Sequence, residues 1–421
     1  MNESNDIFVY SDWDEPNAPT QIGILHKQLV RGKELFSFEY NNNWLSSSEA
    51  QQLDPDLKLF TGLHYLEEKK PNFGIFLDSS PDRWGRVLMQ RREAIIAKLE
   101  NRKQKTLLES DYLLGVYDNN RIGGLRFKVE PNGEFVNCDK RFITPPFSLL
   151  RELEQASLSL EKDENNSPEE EIKWLNMLIA PGSSLGGARP KASVLDKNGQ
   201  IWIAKFPSAK DDYDVGAWEY ITNQLAQTVG LNSTEVQLQK FHSDKSTFLT
   251  KRFDRKASGG RIHFASAMTL LGYSDGDNYT DGISYLELAE FIITKGANPK
   301  EDLIELWKRI AFFIFISNTD DHLRNHGFIL TNKGWALSPV YDINPNPFGS
   351  GLRLNINEID NSLSIDLALE VAEYFRLNKL EAEKIISDIK QKLTNWETIA
   401  LRAKVSKSEI ALMENVFCKN V

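Results

Sequence analysis

The sequence predicts an α+β protein in which a mixed unit leads into a strand-rich unit and then a helix-rich one. Two observations carry that prediction. Up to about residue 255 short strand-like runs, some alternating apolar with polar and bounded by turn residues, are interspersed with one or two helical patterns. From about residue 284 onward they recur with helical spacing in one segment after another.

Taken in order, Phe36-Ser-Phe-Glu-Tyr40 alternates apolar with polar side chains and reads as a strand. Ser80-Pro81-Asp82 is a helix start, because a short side-chain oxygen there accepts an otherwise unpaired N–H, and a helical pattern over residues 83–98 follows. Residues 107–116 form a second partly apolar stretch, and Arg126-Phe-Lys-Val129 a strand. The charged run over 161–171 is expected as a solvated loop. Residues 192–194 and 201–206 pair as strands around the turn Lys197-Asn198-Gly199. An amphipathic helix over 218–229 closes at Gly230, and residues 246–253 form another strand. Helices are expected over 284–294, 301–317, 367–374, 379–393 and 406–417. The resulting division is 1–150 for an N-terminal module, 175–255 for a β-rich part and 256–421 for an all-α C-terminal lobe.

Bulk composition excludes several classes. The longest apolar runs are far too short to span a bilayer, and Met-Asn-Glu-Ser-Asn-Asp lacks the basic and apolar pattern of a signal peptide, so the expectation is a cytoplasmic protein with no membrane partner. Two cysteines are too few for a disulfide framework or a zinc site. A net charge of −10 disfavours DNA binding by the surface as a whole, so any DNA contact is expected through a partner.

Four segments carry chemistry. Pro181-Gly-Ser-Ser-Leu-Gly186-Gly187-Ala188-Arg189-Pro-Lys191 stands just before a strand; its glycines let backbone N–H groups approach phosphate, and Arg189 and Lys191 add positive charge. The spacing is not that of a Walker A loop, and a plain Gly/Ser turn fits the same letters. Lys205, in Ile-Trp-Ile-Ala-Lys-Phe-Pro, has its stem among alternating apolar residues, which suits an ammonium aimed at α- and β-phosphates or one that snorkels to water. Glu219 is the candidate carboxylate to pair with it.

The third segment, Ser317-Asn-Thr-Asp320-Asp-His-Leu-Arg-Asn325-His, follows the most apolar helix and places an aspartate and an asparagine with four residues between them. Kinase catalytic loops use that spacing, the aspartate taking the substrate hydroxyl proton and the asparagine oxygen ligating Mg2+. Such a pair arises by chance roughly once in a chain of this length, so a polar reversal is the competing reading. In the fourth, Ser338-Pro-Val-Tyr341-Asp342-Ile-Asn-Pro, an aspartate after an apolar strand matches the second metal-binding carboxylate, although Asp342 also suits a turn cap. One Asn and one Asp suffice for Mg2+, which keeps several waters and takes phosphate oxygens. A different chemistry draws on Asp320, Asp321, His322 and His326 as a metal phosphohydrolase cluster, which would need further ligands such as His242 or His263.

Together these residues resemble the HipA family of toxin–antitoxin kinases. Ser184-Leu-Gly-Gly-Ala-Arg-Pro-Lys191 looks like its phosphate loop, Ile203-Ala-Lys205-Phe-Pro like its ATP-lysine strand, and Lys251-Arg252-Phe253-Asp-Arg255 like its hinge. Asn318-Thr-Asp320-Asp-His322-Leu-Arg-Asn325 and Tyr341-Asp342 complete the set, while Asp78-Ser-Ser-Pro-Asp-Arg-Trp-Gly-Arg86 and the stretch to Gly123-Gly-Leu-Arg-Phe127 look like its N-terminal module. The resemblance implies a protein-kinase-like bilobal fold and a Ser/Thr protein kinase using ATP and Mg2+. Asp320 is then the base, Asn325 and Asp342 the metal ligands, and Gly186, Gly187, Ala188, Arg189, Lys191, Lys205, Lys251, Arg252, Phe253, His322, Asn325 and Tyr341 the ATP contacts. It also implies autophosphorylation at Ser184, or at its neighbour Ser183, and a HipB-like helix-turn-helix antitoxin as partner. The expected protein substrate is cytosolic, with an aminoacyl-tRNA synthetase as the family's target class. A catalytically silent module that only bridges an antitoxin is the other reading. Near the C-terminus, residues 399–411 have some helix-turn-helix character, but Ser406 to Glu414 carries one lysine against two glutamates, so a structural helix pair is expected.

Overall fold

The computed structural model describes residues 6–13, 19–66, 69–138, 143–162, 167–179, 187 and 189–417. They fall into two compact units, Met1–Ala209 with Lys251–Ala265, and Lys210–Thr250 with Ser266–Val421.

In the first unit a five-stranded antiparallel sheet runs in the order Leu63–Tyr65, Lys33–Tyr40, Thr20–Val30, Asp6–Ser11, Leu125–Lys128. Alternation drives it: Phe36, Phe38 and Tyr40 are buried, with Glu39 between the last two exposed. Phe38, Phe73, Phe76 and Phe127 pack edge-on or tilted beneath it, with neighbouring ring centroids 5.8–6.4 Å apart. The helix Arg83–Leu99 begins where expected, the Asp82 carboxylate accepting from Gly85 N–H at 2.9 Å.

The charged run is shorter as a loop than its composition predicts. Leu150–Glu161 is helical to the start of the run, and Pro168–Ile179 forms a helix at its end. Proline is suited to a first turn, Ser167 Oγ accepts from Glu170 N–H, and Glu169, Glu170 and Glu171 face the positive end of the helix dipole. Residues 163–166 lie outside the description.

The strands Lys191–Leu195 and Ile201–Lys205 pair antiparallel as a hairpin. Its turn is fixed locally: the Asp196 carboxylate accepts from Asn198 and Gln200 N–H, and Gly199 takes φ +74°, a conformation a side chain would disfavour.

One buried group sets an acid limit on this unit. His263 is 1% exposed and stacks on Trp13 with centroids 4.4 Å apart. Burial pushes its pKa down from 6.5 to about 3. Between those values the unfolded chain binds a proton that the folded chain refuses, so stability falls as pH falls. Unfolding in urea should therefore show a loss of about 2 kcal/mol at pH 5 relative to pH 7 from this residue. His263→Phe should remove that part of the slope; an identical slope in both proteins would rule the histidine out as its source.

In the second unit the helix Val215–Val229 ends at Gly230, whose φ of +82° closes it in the left-handed region. Val236–Gln239 and Thr247–Lys251 form an antiparallel pair after it. The helices Tyr285–Lys295, Pro299–Ile316, Ile365–Glu370, Lys379–Leu393, Trp396–Arg402 and Lys407–Phe417 supply most of the rest. The expectation of an all-α lobe needs one correction: Gly327–Thr331 and Gly334–Leu337 form a β-hairpin. Two short apolar runs flank Asn332-Lys333-Gly334, and Gly334 supplies φ +122° for the reversal. The last two helices act structurally. Trp396 stacks on Phe417 at 4.8 Å, and both pack on Trp218 at 6.2–6.3 Å.

Candidate active site

Pro299–Ile316 is buried along its last eight residues, and it stops because Ser317 turns left-handed at φ +50°. That abrupt end launches the polar loop from a fixed point. Asn325 Nδ2 donates to the Asp320 carbonyl at 3.1 Å, and Asn325 N–H to the His322 carbonyl at 2.8 Å, so the loop folds back on itself.

A second segment is bound to this loop. Asn344 N–H donates to Asn318 Oδ1 at 3.2 Å, Asn346 N–H to the Ser317 carbonyl at 3.0 Å, and Asn346 Nδ2 to Thr319 Oγ1 at 2.7 Å. Tyr341 Oη donates to the Arg324 carbonyl at 2.6 Å. Between these ties Asp342 sits at φ +56°, a sparsely populated conformation for a residue with a side chain. Its carboxylate accepts from Asn344 Nδ2 at 3.1 Å. Thr222 Oγ1 donates to the Ile343 carbonyl at 2.6 Å, and Glu219, buried one turn earlier on the same helix, lies on that face.

Asp320 stands open, its side chain 78% exposed and 3.8 Å from Arg353. Its pKa is nevertheless raised above the ordinary value: crowding by the surrounding protein is the main cause, Asp342 and Asp321 add to it, and His322 and Arg353 oppose it. A carboxylate that is accessible and more basic than usual is suited to accepting a proton.

The donor set fits a hard divalent cation. Asn325 Oδ1 is buried and has no hydrogen-bond partner among the described residues, an expensive state for an amide oxygen unless something binds it. With the Asp342 carboxylate it offers the oxygen ligands that Mg2+ prefers. The His/Asp cluster expected for a phosphohydrolase does not form. His326 Nε2 is 2.7 Å from Asp321 Oδ2, Tyr285 Oη donates to the same oxygen at 2.6 Å, and all three side chains are buried. No three His, Cys, Asp or Glu side chains converge as a metal site among the described residues. Tyr285, Asn318 and Asn344 are supporting residues that the sequence did not single out, because their partners lie far along the chain.

The first unit holds the remaining candidates. Register pairs Lys191 directly with Lys205, so two buried lysines share one sheet face. Like charges so placed repel, and Lys191 is neutralised by Asp82 at 2.6 Å, with both side chains almost fully buried. Lys191 Nζ also donates to the Gly187 carbonyl at 3.3 Å, which fixes the end of the glycine-rich segment, where Gly187 takes φ +68°. Lys191 is thus anchored inside the protein, whereas it was expected at phosphate. Arg189 is half-buried just before the strand. Ser183, Ser184, Gly186 and Ala188 lie outside the described residues.

In the hinge-like segment Arg252 also turns inward. Its guanidinium bonds both oxygens of Asp254 at 2.6–2.8 Å and the Asn120 and Arg121 carbonyls. Phe253 packs on Phe264 at 5.7 Å, and Lys251 is half-buried.

The family model of the HipA-like C-terminal domain matches residues 183–396. The serine/threonine-protein kinase toxin HipA of Shewanella oneidensis is 28% identical over 146 residues, 30% of this chain and 33% of that protein. A Haemophilus influenzae relative is 26% identical over 179 residues, 38% of this chain and 52% of the relative. The alignments therefore span about half or less of these curated relatives. The solved structure of HipA from Shewanella oneidensis MR-1, in a complex with HipB and operator DNA, matches with a TM-score of 0.65 at 17% identity, over 98% of this chain and 96% of that one. That likeness gives the fold, α+β and protein-kinase-like.

Proposed function

This chain belongs to the HipA family, and from that premise we propose that it is an ATP-dependent serine/threonine protein kinase acting as the toxin of a toxin–antitoxin module. The observation that carries the reading is the buried, unpaired Asn325 oxygen in a loop whose open end presents the Asp320 carboxylate.

In this reading Asn325 and Asp342 hold Mg2+, which when bound neutralises charge on the ATP phosphates. Asp320 accepts the proton of the substrate hydroxyl. Lys205 and the segment from Gly186 through Arg189 are the candidates for orienting the phosphates, with Glu219 as the candidate carboxylate for that lysine and Lys251, Phe253, His322 and Tyr341 as the other candidate nucleotide contacts. Lys191 and Arg252 are better assigned as residues that position the loop and the hinge, since their charges are spent internally. Residues 1–150, 175–255 and 256–421 divide the work among the N-terminal module, the nucleotide part and the helical part with its catalytic loop.

Solution of the Shewanella HipA together with HipB and operator DNA supports a HipB-like antitoxin as the partner. A net charge of −10 supports DNA contact through that antitoxin rather than directly. No helix among the described residues is long and apolar enough to cross a membrane. The target in this reading is a cytosolic protein such as an aminoacyl-tRNA synthetase.

Incubation with radiolabelled ATP and Mg2+, alone and with cell extract, tests the reading. Labelled protein is the expected result, and partner binding without label under any condition would leave the silent bridging module in its place. Self-labelling should centre on Ser184, where nearly two added negative charges would repel the ATP phosphates. Ser184→Ala should remove most of that label, and undiminished incorporation would exclude the site.

A further inference from the structure

We propose that Arg353 is a positioning residue for the base: its guanidinium holds the open Asp320 carboxylate in place for the acceptor hydroxyl, and the segment from Asn344 to Arg353 is its mount. The proposal deepens the kinase reading of this site and rests on it.

The Asp320 side chain has little else to hold it. Among the described residues its carboxylate accepts no hydrogen bond and makes one ion pair, Arg353 Nε lying 3.8 Å from Oδ1. The bonds that fold the loop use its backbone instead: Asn325 Nδ2 and His322 N–H both donate to the Asp320 carbonyl, at 3.1 and 3.0 Å. They place the Cα and leave the side chain free to change rotamer. A base works only within hydrogen-bond reach of the proton it takes, so a carboxylate 78% exposed needs an external hold.

Arg353 is suited to give it. Leu352 and Leu354 on either side are 1% and 0% exposed and anchor the chain there, while the Arg353 side chain stays half in water. The Arg353 carbonyl accepts from Tyr279 N–H at 2.9 Å, Leu352 N–H donates to the Asn361 carbonyl at 2.8 Å, and Asn355 N–H to the Ile283 carbonyl at 2.9 Å. The backbone is therefore fixed on both sides. The guanidinium makes no hydrogen bond among the described residues, so its donors are not committed elsewhere.

A second, independent contact comes from the same segment. A Cβ at Gly349 would lie 2.7 Å from Thr319 Cβ, and closer still to Thr319 Oγ1 and Cγ2. Rotating the threonine does not relieve the contact with its Cβ, so only glycine lets the two backbones approach this closely. With Asn346 Nδ2 on Thr319 Oγ1 at 2.7 Å, the segment grips the residue before Asp320, and four positions after Gly349 it meets Asp320 itself.

Self-labelling of the full chain with radiolabelled ATP and Mg2+ tests this, read as the rate at saturating ATP and the ATP concentration that gives half that rate. Arg353→Gln should lower the saturating rate about fivefold, the upper scale of one exposed ion pair, and leave half-saturating ATP unchanged. Arg353→Lys keeps the charge and should recover most of the loss. In an Asp320→Asn background Arg353→Gln should cost nothing further, because residues that act through one contact are not additive. Gly349→Ala, which displaces Thr319, should also lower the rate rather than raise half-saturating ATP; should it fail to fold, the Arg353 variants decide. An unchanged rate in Arg353→Gln overturns the proposal. So does a rise in half-saturating ATP, which would assign the guanidinium to the nucleotide, or a fivefold loss that persists in Asp320→Asn. A wild-type chain that takes no label removes the kinase reading itself and this proposal with it, whereas label in the wild type with any of the three preceding results removes the proposal alone.

Discussion

Asp320→Asn should lower ATP-dependent phosphate transfer by about 10²–10⁴-fold, the usual contribution of a positioned base. It should do so without changing the unfolding midpoint, because the side chain is 78% exposed and its nearest ion-pair partner, Arg353, is itself half in water. Asparagine keeps the shape and the hydrogen-bonding reach but cannot take the proton. A variant that labels at the wild-type rate would remove Asp320 from the mechanism, whatever else the loop does. The pH profile provides a second check. Crowding and the nearby carboxylates raise the Asp320 pKa, so activity should begin to fall toward acid at a higher pH than an ordinary carboxylate would allow. The acid limb should move to lower pH in Asp342→Asn if residual activity is measurable, since one of the groups that raises the Asp320 pKa is then gone.

Asp254→Ala should destabilise the first unit by about 3–5 kcal/mol, measured as a shift in urea unfolding. The Arg252 side chain is 0% exposed and Arg255 only 9%, and Asp254 is their shared partner at 2.6 Å. It also accepts from Gly123 N–H at 2.8 Å. Removing it strands two charges and an amide at once. Burial alone would raise the Asp254 pKa, but Arg252, Arg255 and the Gly123 N–H outweigh that and hold it well below the usual carboxylate range. Burial lowers Arg255 to about 9, still above neutrality, so the pair is ionised at pH 7. The folded pKa is depressed, so the stabilisation is complete above the unfolded value near 4 and disappears as pH falls below it. Wild type and Asp254→Ala should therefore converge in stability toward strong acid. A difference that stays constant from neutral pH downward would mean that the carboxylate's charge is not what holds the network.

Much of the site was readable where the signal is local. The spacing from Asp320 to Asn325 marks one loop, and the Asp342 segment follows an apolar strand, so both could be named in advance. The hairpin that carries Lys205 was legible because Asp196, Asn198 and Gly199 make their own turn. Lys191 was legible only as a charge near glycines; that its partner is Asp82 depends on a contact between residues 109 positions apart. Asp321 and His326 looked like metal ligands because composition records residue types and not what occupies them. Tyr285, from a different helix, consumes one of those carboxylate oxygens.

The sequence by itself determined the family, the progression from a mixed to a strand-rich to a helix-rich region, and the aspartates and asparagine from which a phosphate-transfer site can be built, because periodicity, caps and motif spacing act over a few residues. Tertiary structure decided which charged groups remain available for chemistry. Asp320 is left open, Asn325 is left with an unfilled oxygen, and Asp321, Lys191 and Arg252 are spent holding the fold. The physical reason is that a buried charge must find a partner, and which partner it finds is set by packing between segments that no local pattern connects.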